Sequence, residues 1–278
     1  MTPTARPGDR RLRRRLVLAL LGAVLLIGAV ACSDAPTEKE IAMADDGVDP
    51  SIVPIFTSED LLTVAQDLGT VFLIDHPGVT FQYIAKPPDV LGERVRSGVL
   101  PVLWIDEAQV LEPFVSDAAA RGEPAPVGDD VVQFVLYKTY TGPKPTLEVF
   151  GAGTFPTRSG LCDAAVPCGR GALEVLEAAG VTPEPDLTFP TGRELVDGFV
   201  DEQLDTALMY RSDAARIWTA FKLQPMPDPT IGTRTYESLR LRDDPIGESF
   251  QKWIASSPEA DAILVKRGLR ARPGVPTP

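Results

Sequence analysis

The 278-residue chain is poor in the residues that most chemical sites need. It has one histidine, His76, and three cysteines. That supply argues against a zinc finger or a multi-histidine metal site. A Ser-His-Asp or Cys-His pair could use only His76, which precedes a proline in a turn and reads as structural. No G-x-x-x-x-G-K-[ST] loop and no G-x-S-x-G elbow occur, and GAGTFP (151–156) lacks the third glycine of a dinucleotide turn. Basic charge is scarce as well. Lys plus Arg total 27 against 39 for Asp plus Glu, a formal net charge of -12. Residues 1–31 hold six arginines and one acid, Asp9, so they carry +5 and the remainder -17. A body this acidic lacks a nucleic-acid footprint. Its many carboxylate pairs single out no glycosidase site. The residues read as a non-enzyme without cofactor or resident metal.

What is present begins with an address. RRLRRR (10–15) precedes an apolar run (16–31) and then Cys32-Ser-Asp, the layout of a secretory signal. The run is shorter than the roughly 20 residues of a spanning helix. Ala29-Val30-Ala31-Cys32 resembles the bacterial lipobox, which implies cleavage before Cys32, its lipidation, and a place on the outer face of the cell membrane. An uncleaved anchor is the alternative, and the Arg-Arg pairs leave Sec or Tat export open. Residues 32–50 read as a flexible acidic tether and 271–278 as a disordered tail.

Between them, strand and helix signals alternate. SIVPIFTS (51–58) reads as a strand entering a helix capped by Thr57 or Ser58, with Glu59 and Asp60 in its first turn. Strands are expected at 79–85, 101–106, 131–140, 206–212 and 235–241. Helices are expected at 90–98, 107–122, 169–180, 191–203, 246–256 and 258–268. RGEPAPVGDD (121–130) reads as a loop. Alternation of this kind predicts parallel, helix-covered sheets.

Cys162 and Cys168 flank DAAVP. In an exported chain whose Cys32 is lipidated, the remaining two most simply form a disulfide. A redox or metal pair is the alternative, without C-x-x-C spacing. The bridge would fix the loop entering the helix at Gly169, whose free amides make an anion site.

Several segments resemble the bacterial periplasmic molybdate-binding proteins. CDAAVPCGRGA (162–172) is similar to their V-P-x-G segment, ALMYRSDA (207–214) to G-I-V-Y-x-[ST]-D-A, and SPEADAILVKRGL (257–269) to their closing motif. HPGVTFQYIA (76–85), LGERVRSG (91–98) and PVLWIDE (101–107) follow the same order more loosely. The resemblance, over about 52–270, implies a type 2 periplasmic-binding-protein fold. That is α/β, two lobes with mainly parallel sheets under helices, joined by two hinge crossings. Lobe 1 is expected at 51–127 and 207–270, lobe 2 at 128–206.

It also implies a lipid-anchored monomer that delivers a small oxyanion, molybdate or tungstate, to an ABC permease. The alternative is a divergent scaffold with a different ligand or a sensor role. By motif, Tyr210 and the backbone amides of Cys168 and Gly192 carry over as ligand contacts. The family's two serines fall on Asp60, with Thr57 and Ser58 one turn earlier, and on Pro88 or Asp89. Acids at those places would repel a dianion, by about 4 kcal/mol for unit charges at 4 Å and effective ε of 20. The residues leave open a shifted register, with Thr57, Ser58 or Lys86 in the pocket, or a different ligand. Asp60 as a solvated helix-start acid and Asp89 as an N-cap are the plain alternatives. Arg158 and Ser159 are further candidate contacts.

Overall fold

The computed structural model describes residues 51–116, 120–142, 146–151, 158–217, 221–224, 228 and 230–270. The signal, Cys32, the tether and the tail lie outside them. All the described residues belong to one compact unit, Asp49–Pro278.

The strands are β1 Ile52–Thr57, β2 Thr80–Ala85, β3 Leu103–Glu107, β4 Ala125–Asp130 and β5 Val132–Tyr137. They continue with β6 Ser159–Cys162, β7 Leu187–Phe189, β8 Thr206–Tyr210, β9 Phe221–Gln224 and β10 Arg234–Arg240. Helices α1 Leu62–Phe72, α2 Pro88–Arg96 and α3 Ala108–Val115 follow β1, β2 and β3. Helices α4 Pro167–Ala178, α5 Gly192–Val200 and the short α6 Arg211–Ala214 follow β6, β7 and β8. Then α7 Pro245–Ser256 and α8 Pro258–Lys266 close the chain.

Two five-stranded sheets result, ordered β2-β1-β3-β10-β4 and β7-β6-β8-β5-β9. Both follow one plan. Three strands pair in parallel, and the fourth, β10 or β5, is antiparallel to both neighbours. The sheets are therefore mixed rather than mainly parallel. The reversed strand in each is the one arriving from the other sheet, which explains its direction. The second sheet also reaches further than 206, because β8 lies between β6 and β5 and β9 pairs with β5. The return to the first sheet comes only at β10.

Both sheets bury two faces, so their central strands are apolar without alternation. In β1, Val53 and Ile55 meet Leu68, Phe81 and Phe250 in one core, while Phe56 lies edge-on to Trp104 at 6.4 Å. In the second sheet Phe134, Phe150, Leu176, Phe199 and Leu208 form a separate core. His76 stacks on Phe72 at 4.1 Å and its Nδ1 meets the Phe72 carbonyl at 2.9 Å, a packing role.

The expected helix cap at Thr57 or Ser58 is not formed. β1 runs through Thr57, and α1 starts at Leu62 behind Leu61, without a side-chain cap. Cys162 and Cys168 are joined, with Cα atoms 5.8 Å apart, so the end of β6 is tied to the first turn of α4. Space there is tight: a Cβ on Gly169 would lie 1.9 Å from the Asp163 carbonyl oxygen, so glycine alone fits.

Candidate functional site

Helix starts and crossing segments from both sheets converge on Arg234, the first residue of β10. Three adjoining cavities share its side chain. The first, about 360 Å³, is lined by Asp60 after β1, Cys168 at the start of α4, Gly192 and Arg193 at the start of α5, and Asp213 and Arg216 after β8. The second, about 270 Å³, has Glu107, Gln109, Arg170, Glu174, Tyr210 and Thr235. The third, about 240 Å³, lies between Asp60, Thr63, Ser212, Arg216 and Arg267.

On the second-sheet side the first cavity meets the starts of both α4 and α5. α4 opens with Pro167 and no side-chain cap, so its first amides have no partner within the helix. The positive end of the helix dipole faces the same way. At α5, Thr191 caps by accepting from the Glu194 amide at 3.2 Å and donating to its carboxylate at 2.9 Å. A Cβ on Gly192 would sit 2.6 Å from Asp213 Oδ2. Any larger residue there would have to displace the Asp213 carboxylate.

Arg234 is held from several directions, with its side chain 11% exposed. It ion-pairs with Glu107, approaches Asp60 at 3.9 Å, and lies 5.0 and 5.4 Å from the rings of Tyr210 and Tyr236. Burial by itself would lower its pKa, but Tyr236, the Glu107 carboxylate and Tyr210 together raise it above the usual guanidinium range. It stays a fixed cation. Its Nε is buried without a partner.

The acids nearby behave differently. Burial pushes Asp213 up to about 6, with Arg216 opposing and Asp60 assisting the rise. Asp130, at the end of β4, receives hydrogen bonds from the Ser212 amide at 3.2 Å and hydroxyl at 2.5 Å. Burial nonetheless pushes it up to about 7. Asp106 is pushed up to about 6 by burial, against hydrogen bonds from the Glu107 amide and the Trp104 indole. At the end of β1, the hydroxyls of Thr57 and Ser58 are buried with no hydrogen-bond partner, an arrangement that costs roughly 1–3 kcal/mol per group.

The sequence candidates are therefore placed unequally. Cys168, Gly192 and Asp60 line the first cavity together, while Tyr210 lines the second, across Arg234. Ser58 is buried beside Glu59 and Asp60 in sequence but lines none of the three. Asp89 is not brought to any of them. α2 starts at Pro88 behind Pro87, so Asp89 is an exposed first-turn acid rather than an N-cap. Lys86 is exposed elsewhere. Arg158 pairs with Asp205 at 3.3 Å and Ser159 with Asp186 at 2.9 Å, so neither serves the cavities. Arg234 was not among the candidates. It is the sole basic residue between Lys222 and Arg240, but a return to the first sheet at 207 hides the fact that it sits on the crossing.

Chemically, the site offers fixed positive charge, backbone amides and carboxylates. Among the described residues no group of three metal-ligating side chains occurs.

Comparison with known structures gives the architecture its class. A substrate-binding domain assigned to a molybdenum ABC transporter from Clostridium difficile matches with TM-score 0.65 and 16% identity, over 80% of this chain and 99% of that one. The fold is that of type 2 periplasmic binding proteins. The periplasmic molybdate-binding protein of Azotobacter vinelandii matches with TM-score 0.54 and 14% identity, over 79% and 99%. PEB3 of Campylobacter jejuni, solved with L-phospholactate, matches with TM-score 0.56 and 12% identity, over 79% and 100%. No family model and no curated protein sequence matches the chain. Likeness at these identities concerns the fold, and the ligand has to be argued from the site.

Proposed function

We propose that the chain is an extracytoplasmic solute-binding protein, lipid-anchored through Cys32, that captures a small anion and presents it to an ABC importer. The observation that carries this reading is the first cavity. Two helix starts and a buried arginine face one space between the two sheets of a binding-protein fold. Molybdate is the candidate supplied by the resemblance and by the names of two structural neighbours, and tungstate by the resemblance alone. Capture would use the amides of Cys168 and Gly192 together with Arg234, with the two sheets closing on the ligand.

The test is thermal unfolding in the presence of single anions at constant ionic strength. A ligand at a hundredfold excess over its Kd adds about 2.7 kcal/mol, or about 5–10 °C in Tm for a chain of this size. A flat response across inorganic and organic anions alike would remove the anion-binding reading. Cys32→Ala should move the chain out of the membrane fraction, and retention there would remove the lipid anchor.

A further inference from the structure

The lining of the cavities carries information about the ligand beyond its charge. In the first cavity Glu59, Asp60 and Asp213 stand against Arg193, Arg216 and Arg234. In the second Glu107 and Glu174 stand against Arg170 and Arg234. With Arg234 counted once, five carboxylates face four arginines across the two cavities. A bare, fully deprotonated oxyanion only accepts hydrogen bonds. It could satisfy the arginines and the helix amides, but it has nothing to donate to the carboxylates and would be repelled by them.

Size points the same way. Pockets for small organic ligands run from about 300 Å³ upward. The first cavity alone, at about 360 Å³, falls in that range. The second, about 270 Å³, continues past Pro167 and Arg234 and is lined by neutral polar groups, Gln109, Tyr210, Thr233 and Thr235. Arg234 carries the planar fork that suits a carboxylate or phosphoryl group, with one arm on Glu107 and the other 3.9 Å from Asp60, so a ligand's anionic group would share it with these carboxylates.

We propose that the ligand is an organic anion that also carries hydrogen-bond donors, a hydroxylated or amino-bearing carboxylate or phosphate ester. Its anionic group lies between Arg234 and the starts of α4 and α5. Its donor-bearing body reaches past Arg234 to Gln109 and Tyr210, with hydroxyl or amino groups facing Glu107 or Asp60. This rests on the solute-binding reading above and narrows its ligand.

The full-length chain in detergent, titrated calorimetrically, separates the two. One arm uses sodium molybdate, tungstate, sulfate and phosphate. The other uses sn-glycerol 3-phosphate, 3-phosphoglycerate, citrate and L-glutamate. At least one organic probe should bind tenfold or more tightly than every inorganic one. Gln109→Ala should weaken that probe severalfold, and more than it weakens any inorganic anion, since Gln109 also donates to the Glu107 that pairs with Arg234. Arg234→Lys, which keeps the charge but loses the fork, should weaken it at least tenfold, with thermal unfolding checking that the variant is folded. Inorganic anions binding as well as or better than the organic set would overturn the organic-ligand proposal and leave the solute-binding reading standing. Silence in both arms would remove the two together.

Discussion

The two sheets share a strand order, so their helix starts can be compared position by position. α1 follows β1 as α4 follows β6, and α2 follows β2 as α5 follows β7. The start of α4 is Pro167, Cys168 and Gly169, and that of α5 is Gly192 followed by Arg193 and Glu194. The corresponding approaches in the first half carry Glu59, Asp60 and Asp89. At the first cavity the second half adds its helix starts to Arg193, Asp213 and Arg216, while the first half brings Glu59 and Asp60, and Arg234 stands between them. A common architecture therefore sets where a ligand can sit, while a few residues at the helix starts decide what it must look like.

The comparison breaks most visibly if the second-half wall is deformed. Gly169→Ala forces a Cβ onto the Asp163 carbonyl. Overpacking of this kind costs about 1–3 kcal/mol and occasionally more, which urea unfolding should register with loss of anion-induced stabilisation. Next is the covalent tie. Replacing both Cys162 and Cys168 by Ser removes a bridge across a sequence separation of 6, worth about 2 kcal/mol on the chain-entropy picture. Urea midpoints should fall accordingly, and the first cavity should lose affinity while Asp60 and Arg234 remain in place.

A smaller effect concerns the crossing acids. Asp130 titrates at about 7 and Asp213 and Asp106 at about 6 in the folded chain, above the ordinary value near 4. The folded state therefore holds more protons than the unfolded one between these values. The stability linked to them is complete below about pH 4 and is lost as pH rises through 6 and 7. Unfolding free energy should thus decline from pH 5 to pH 8, by at most about 1.4 kcal/mol per unit for each proton. In Asp130→Asn the decline should be shallower, whereas an unchanged slope would assign it to other groups. The mildest test sharpens the contrast between walls. Asp60→Asn removes an exposed carboxylate 3.9 Å from Arg234. Pairs of that kind are worth up to about 1 kcal/mol, so affinity for an inorganic anion should rise up to about fivefold. A fall would make Asp60 a ligand contact.

Most of the fold was legible because its central strands are apolar runs and its helices carry strong face patterns. The strands that escaped were β4, β7 and β9, all at sheet edges, and the four-residue β6. An edge strand packs fewer cross-strand neighbours, so APVGDD or LTF need not look like a strand. The site was half legible. Cys168, Gly192 and Asp60 were reached by motif, through the resemblance, and all three line the first cavity. Asp89 failed because Pro88 starts α2 early enough to turn it into solvent. Arg234 escaped because its importance comes from topology, which local pattern does not encode.

That topology has one more consequence. Arg234 opens the strand by which the chain re-enters the first sheet, so it belongs to the joint between the halves as much as to the cavities. A substitution at Ile231 or Gly232, which line none of the three cavities, would act on the guanidinium through the backbone. Selection on how the halves articulate and selection on what the protein recognises would then act on the same short stretch, and neither property could drift far alone.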